Sequence, residues 1–370
     1  MSRSDTAALN RHADTGVGRA AYGPGGVSFD TSAFEVEADL DADACITREC
    51  GRRLCEAIDK HGFVIVQNVF SDRESAAGLE VVRTALGDPD RERASFASQT
   101  DVRYGRRDFC PLPSTEPVLQ FCSLLARRCE RVLTEYCRSA WAVLEISTLT
   151  SYAGCSHQYL HRDPAGVLCV FVALEDVSVE QGGTVLAPGT HPFIGSHRGH
   201  GGRAELLMRL FQLRCNVRIM RYNLRKIVKL WRSGQPRIST EEFFDRVFSR
   251  KSDAHQPNIY YFLTRSPNAV FNVYKCGLRT LIRLVQFGKQ AAEAFRLIQA
   301  SPKRGSIIIY RSDMLHAGPD NRSKNPRYFL SINIARDVIH PAAWRSGYSP
   351  HSSLRAKPMT LGELIDWRSQ

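Results

Sequence analysis

The stretch from His157 to His191, HQYLHRDPAGVLCVFVALEDVSVEQGGTVLAPGTH, restricts the fold of this chain more than any other. Val167 to Leu174 is an unbroken apolar run, the pattern of a strand buried on both faces. Just ahead of it, His161-Arg162-Asp163 sets an imidazole and a carboxylate two residues apart. In extended chain such residues share a face, so the pair can grip one ion. After the run, Gln181-Gly182-Gly183-Thr184 reads as a turn, Val185-Leu186 as a short strand, and Pro188-Gly189-Thr190-His191 as a second turn. The triplet alone is weak. With eleven histidines in the chain, one such triplet by accident is roughly an even chance.

A second His from elsewhere would complete the facial triad of two imidazoles and a carboxylate that holds non-haem Fe(II). The segment Gly305-Ser306-Ile307-Ile308-Ile309-Tyr310-Arg311-Ser312-Asp313-Met314-Leu315-His316 offers one, followed by Gly318-Pro319-Asp320-Asn321-Arg322 and by Arg327. These two segments, in this order, resemble the phytanoyl-CoA dioxygenase family of Fe(II)/2-oxoglutarate-dependent oxygenases. Members carry His-x-Asp, a hydrophobic strand, a Gly-containing turn, Pro-Gly-Ser/Thr-His and then a distal His. The resemblance is close over 157–191 and 305–335 and loose over 55–86, and it says nothing about 195–303. It implies an α+β chain, mainly β with helices. Its core would be a double-stranded β-helix (jelly-roll, cupin-like) with N-terminal helices and, in this chain, a large helical insertion.

The resemblance also implies an Fe(II)- and 2-oxoglutarate-dependent dioxygenase that hydroxylates or otherwise oxidises a C–H bond. His161, Asp163 and His316 would be the metal ligands. Three positions on the ion would stay open, two for the keto oxygen and C1 carboxylate of 2-oxoglutarate and one for O2, with succinate and CO2 released and ascorbate as reductant. Arg327, eleven residues after His316, stands where the family's Arg holds the distal carboxylate; a guanidinium fork suits that task. Arg322 is the rival for this contact. Phe171 occupies a strand position where some members place Trp, as a wall for the cosubstrate or as core. Where the family often has Ser two residues after the distal His, this chain has Gly318, and Ser147, Thr148, Thr150 and Tyr152 are candidates for the missing contact. Related halogenases replace the ligand carboxylate by Gly or Ala, so Asp163 points to hydroxylation rather than halogenation. His157 reads as a polar residue of cavity or surface and His191 as a turn residue near the mouth; His197 and His200 crowd the same region.

The chain in order begins with a flexible tail over 1–30, rich in Gly, Ala, Ser and Arg, and then a single dioxygenase domain over 31–370. A helix is expected over Asp43–Lys60 and a strand over Phe63–Val66. Ser71 and Glu74 read as a capping box opening a helix to about Leu86. Residues 87–114 read as a polar loop, 116–137 as one helix, Val143–Tyr152 as a strand with one polar face, and Tyr328–Ala335 as the last strand. A short helix starts near Thr360. Residues 195–303 read as a helical insertion or lid. Within it, Leu206, Leu210, Phe211, Leu213, Val217, Met220, Leu224, Ile227 and Trp231 recur at helical steps, and further helices are expected at 239–250, 257–275 and 278–299.

The net charge of +12 is concentrated in that insertion: Arg203 to Arg232 hold nine Lys or Arg against one acid, Glu205, a net of +8. The basic helix 206–232 is read three ways, as a solvated face, as a lid over an anionic substrate such as an acyl-CoA, or as a surface lying on anionic membrane. Nucleic acid is disfavoured because no recognised module is present. The substrate is expected to be small or lipid-like, an acyl-CoA or a natural-product intermediate among the options. From another class comes a non-catalytic jelly-roll binding protein that uses the basic helix for membrane or polyanion contact. Eleven scattered cysteines without zinc spacing read as reduced thiols. With neither a secretory segment nor a membrane span, an intracellular, cytoplasmic location is expected, organellar targeting remaining open.

Overall fold

The computed structural model describes residues 27–93, 100–137, 141–191, 203–233, 238–248, 273–335 and 348–368. Eleven strands form two sheets. The larger takes the order β2 (Glu35–Glu37), β3 (Phe63–Gln67), β9 (Ile307–Arg311), β6 (Val167–Ala173), β11 (Arg327–Ala335), β5 (Ala142–Ser151) and β4 (Arg107–Pro111). The smaller runs β1 (Val27–Ser28), β8 (Leu297–Ala300), β7 (Thr184–Leu186) and β10 (His316–Ala317). His161 bridges to His316 and so extends the smaller sheet by one rung. From β5 onward, through the His161 rung, the chain alternates between sheets, except that β7 and β8 follow each other within the smaller one. That alternation is the double-stranded β-helix, here two facing sheets rather than a closed barrel.

The central strands β6 and β9 are buried along both faces, which is why their sequences are continuously apolar. Their outer face packs on helices α1 (Arg48–His61), α2 (Asp72–Gly87), α4 (Glu116–Arg128) and α5 (Glu130–Tyr136), in one core holding Leu54, Ile58, Val82, Leu125, Val170 and Ile309. Their inner face meets the smaller sheet through Phe63, Ile308, Leu186 and Ile298. Ser71 and Glu74 form the expected capping box on α2.

Several boundaries depart from the sequence expectation. Helix α1 begins at Arg48 rather than Asp43, because the Asp41 carboxylate holds the Asp43 and Cys45 N–H groups in a turn and Thr47 caps the helix. The helix expected over 116–137 breaks at Cys129, where the Arg128 carbonyl accepts from Ile46 N (2.9 Å). The expected loop 87–114 contains a helical turn α3 (Thr100–Arg103) and the edge strand β4. The insertion ends sooner than 303, since β8 already starts at Leu297.

That insertion fills the connection of an antiparallel pair, β7 with β8. It contributes α6 (Arg203–Ser233), α7 (Thr240–Phe248) and α8 (Val273–Ala294); the expected helix around 257–275 and His197 and His200 fall largely or wholly outside the described residues. Met208, Phe211, Cys215 and Ile219 of α6 pack on the smaller sheet beside Leu160 and Leu297. Trp231, counted in the apolar stripe from sequence, is instead 43% exposed. Among the described residues no helix is long and apolar enough to cross a membrane, and the ten described cysteines are unpaired.

Candidate metal and oxo-acid site

The ligand-bearing segments meet as neighbouring rungs. His161 N donates to His316 O and His316 N to His161 O, both at 3.0 Å, so the two histidines are locked back to back. Asp163 N is held by Ser312 O (3.0 Å), which keeps the carboxylate on the same side as the His161 ring. One donor atom from each of His161, Asp163 and His316 lies within 4.8 Å of the others. The His316 Nε2 to Asp163 Oδ2 distance is 3.4 Å, and the two imidazole centroids are 4.4 Å apart. Each imidazole turns Nδ1 to the carbonyl two residues before it, His161 to Tyr159 O (2.7 Å) and His316 to Met314 O (3.0 Å). A carbonyl only accepts, so each Nδ1 carries a proton, and with an ion bound each Nε2 would present its lone pair to it.

The inner face of the larger sheet forms the opposite wall, and register sorts it into rows. At one end Arg107, Ser151 and Arg327 stand side by side on β4, β5 and β11. Next come Phe109, Leu149 and Phe329, then Ser147, Ser331 and Phe171. Last are Glu145, Asn333, Cys169 and Tyr310, whose ring lies 5.1 Å from that of His316. The cavity of about 90 Å³ compares with roughly 10–15 Å³ for one water, so it has room for a small acid.

Its far end is cationic. Arg327 donates to Gly182 O, to Gly183 O (2.8 Å) and to Ser151 Oγ (2.8 Å). Arg107 donates to Ser156 O (2.9 Å) and Pro319 O (3.3 Å) and touches Cys155 Sγ. Every one of these acceptors is neutral, and the Nε of both guanidiniums lacks a partner. Burial, with the neighbouring Arg107 charge, pushes the Arg327 pKa down to about 9. Two buried guanidiniums hydrogen-bonded only to neutral acceptors among the described residues are suited to a carboxylate.

Of the other residues singled out from sequence, Phe171 lines the cavity. Arg322 does not: it is exposed, with its guanidinium at Val179 O, because its backbone is drawn outward to Glu180 O. Ser147 faces inward, whereas Thr148 and Thr150, one residue out of step, lie on the opposite face of β5; the hydroxyl that meets Arg327 is Ser151. His157 is buried, its backbone N–H and carbonyl both taken by the Asn223 amide, and burial pushes its pKa down to about 4. His191 is buried in its turn, with Nε2 at Asp59 O.

Arg107 was missed by the sequence reading. The signal that could have found it is Gly318: a Cβ there would lie 2.5 Å from Arg107 Nη1 and 2.6 Å from Gln158 Oε1. The departure from Ser at this position is the space that the second guanidinium fills.

No family model matches this sequence, and no curated protein matches it. Solved structures with a similar chain path include the non-heme alpha ketoglutarate dependent epimerase SnoN from nogalamycin biosynthesis, at 13% identity and TM-score 0.44 over 78% of this chain and 84% of that one. The carbocyclase SnoK from the same biosynthesis gives 13% identity and TM-score 0.45 over 79% and 86%. HygX from Streptomyces hygroscopicus, solved with nickel and 2-oxoglutarate bound, gives 13% and 0.42 over 80% and 88%. At that distance the reading rests on the site's own residues.

Proposed function

We propose that this chain is an Fe(II)- and 2-oxoglutarate-dependent oxygenase acting on a C–H bond of a small organic substrate. The observation that carries the proposal is one cavity with a two-imidazole, one-carboxylate trio on one wall and, at its end, two buried guanidiniums whose Nε atoms have no partner. His161, Asp163 and His316 would hold the iron, and Arg327 with Arg107 the distal carboxylate of the oxo-acid. Bound there, iron and oxo-acid supply the oxidising chemistry with O2. The chain's own residues orient and desolvate. The carbonyls of Tyr159 and Met314 fix the imidazole tautomers. Ser151 aims the Arg327 fork, and Phe171 and Phe329 keep water from the acid's aliphatic stretch. Asp163 would ligate the iron where related halogenases leave room for a halide, which favours hydroxylation or a related oxidation.

Succinate release on adding Fe(II), ascorbate and 2-oxoglutarate tests the reading. The oxygenase gives at least slow uncoupled turnover that disappears in His316→Ala. Absence of succinate together with absence of metal-dependent 2-oxoglutarate binding would refute it and leave a non-catalytic binding protein. A surface role for α6 is a second reading with its own support: Arg221, Arg225, Lys229 and Arg232 are exposed beside Trp231, a combination suited to anionic membrane.

A further inference from the structure

The end of the cavity away from the arginines has the opposite character. Row spacing puts Asn333 six residues along β11 from Arg327, roughly 20 Å of extended chain, so one short diacid cannot reach both ends. Glu145, Asn333 and Tyr348 are 6%, 6% and 3% exposed, and all three line the cavity. The Glu145 carboxyl accepts from Ser147 Oγ (2.7 Å), from Ser349 N and, at 3.5 Å, from Asn333 Nδ2. These donors are all neutral. By turning Nδ2 to the carboxyl, Asn333 leaves its Oδ1 buried with no partner. The reverse amide orientation would set oxygen against oxygen. The Tyr348 hydroxyl is buried without a hydrogen-bond partner among the described residues.

The Glu145 carboxyl, Asn333 Oδ1 and the Tyr348 hydroxyl therefore line the same cavity, and Asn333 Oδ1 accepts from no donor among the described residues. A ligand that brings hydrogens would satisfy Asn333 Oδ1, and one that also brings positive charge would hold Glu145 ionised against burial, which by itself pushes its pKa above the ordinary carboxylate range. An ammonium meets both needs, with several N–H donors on one centre and an aromatic ring alongside. A hydroxyl would satisfy one oxygen and leave the carboxylate without charge compensation.

We propose that Glu145, Asn333 and Tyr348 form a subsite for an ammonium group of the substrate, so that the molecule oxidised is an amine. This rests on the oxygenase reading and departs from the lipid-like substrate expected from sequence. Glu145 sits one row from Ser331 and in the row of Tyr310, which places the ammonium beside the metal-ligand trio and leaves the guanidinium end to the oxo-acid.

The test uses the full-length protein with Fe(II) and 2-oxoglutarate under anaerobic conditions. The visible charge-transfer band of iron chelated by an oxo-acid reports the oxygenase reading, and its perturbation by added probes reports the subsite. The probes are hexylamine, hexan-1-ol and hexanoic acid. Hexylamine is expected to perturb the band at about tenfold lower concentration than hexan-1-ol, the worth of one charge-assisted hydrogen bond, with hexanoic acid inert. Glu145→Gln should keep the band and lose that preference, as should Asn333→Leu. A normal band with hexylamine no better than hexan-1-ol overturns the subsite and leaves the oxygenase standing; this comparison on unaltered protein needs neither variant to fold. An unchanged amine preference in folded Glu145→Gln also overturns it. Failure of the unaltered protein to form the band at all removes the oxygenase reading and the subsite with it.

Discussion

Gly318 and Arg107 should behave as one unit, and a two-residue cycle can show it. In Gly318→Ser the new Cβ would start 2.5 Å from Arg107 Nη1 and 2.6 Å from Gln158 Oε1, well inside contact. Neither neighbour is free to swing away. Gln158 Oε1 accepts from Gly318 N (2.7 Å), and Arg107 is tied to Ser156 O (2.9 Å) and Pro319 O (3.3 Å). Making room costs the guanidinium its place, and with it a charged hydrogen bond worth about 1.5–3 kcal/mol. The affinity for 2-oxoglutarate should then fall about 10- to 150-fold. Arg107→Met should lose a similar amount, since it removes one of the two cations. In the double variant the serine no longer displaces a guanidinium, only the Gln158 amide has still to give way, and the new hydroxyl can donate to the carboxylate. The combined loss should therefore be about that of a single change, a coupling of roughly 1.5–3 kcal/mol. The measurement is calorimetric titration of 2-oxoglutarate into protein loaded with a redox-inert divalent ion, with thermal melts to confirm folding. Additive losses, or a harmless Gly318→Ser with Arg107 present, would refute the argument that both guanidiniums face one carboxylate.

Asn216→Leu strips a two-point clamp from Leu160, N–H to Oδ1 at 2.8 Å and Nδ2 to carbonyl at 3.1 Å, and should cost about 1–3 kcal/mol of stability. Because Leu160 precedes His161, metal affinity in titrations should fall about 10- to 100-fold as well; a lowered melting temperature with unchanged metal affinity would reduce Asn216 to scaffolding. His157 is neutral in the fold, its pKa pushed down to about 4 by burial, while the unfolded chain takes up that proton near 6.5. Its contribution is fully present above about pH 6.5 and is lost as pH falls through about 4, a decline of about 3 kcal/mol that denaturant titrations should find flattened in His157→Gln. For the exposed cations of α6, sedimentation with vesicles should show binding to anionic lipid that salt abolishes; equal binding to neutral vesicles, or none, removes the membrane contact.

How much of this was legible follows from strand chemistry. The pair His161 and Asp163 share a face because strand side chains alternate, and β6 and β9 announced themselves as unbroken apolar runs between turns. Alternation would also have sorted β5, where Glu145, Ser147 and Ser151 share the cavity face and Thr148 and Thr150 cannot. Naming all the hydroxyls together obscured that. Arg107 was beyond reach for a different reason. Strand β4 is a five-residue edge strand ending in Pro111, set among charges, and its one functional side chain is polar and turned inward, the reverse of the usual pattern. The break at Cys129 is equally silent, because its cause is the tertiary bond from Ile46 N to the Arg128 carbonyl and no Gly or Pro marks it.

The segment read from sequence as a helical insertion or lid makes its described contacts with the walls of the candidate site. A long excursion between β7 and β8 is tolerable because the paired strands already bring its ends together, and loop-closure cost grows only slowly with length. Having left the sheet, the chain returns to clamp it. Gln212, Asn216 and Asn223 of α6 hydrogen-bond the backbone of Leu160 and His157, occupying a sheet edge that would otherwise stand open. Lys226 adds a bond to Cys155 O and a buried pair with Asp320 (2.6 Å). From α7, Arg246 reaches Asp101 (2.7 Å), Glu242 (2.8 Å) and Ser156 Oγ (2.8 Å), and Ser156 N donates to Asp101. One wall bonded in this way carries His161 and the other leads into Arg107. Breaking a buried pair by removing one partner leaves a stranded charge, so these links are stiff. The distance between the proposed metal ligands and the paired guanidiniums is thus fixed by the insertion as well as by the jelly roll. Shortening the insertion to a simple hairpin should leave the sheets foldable while loosening both ends of the cavity at once.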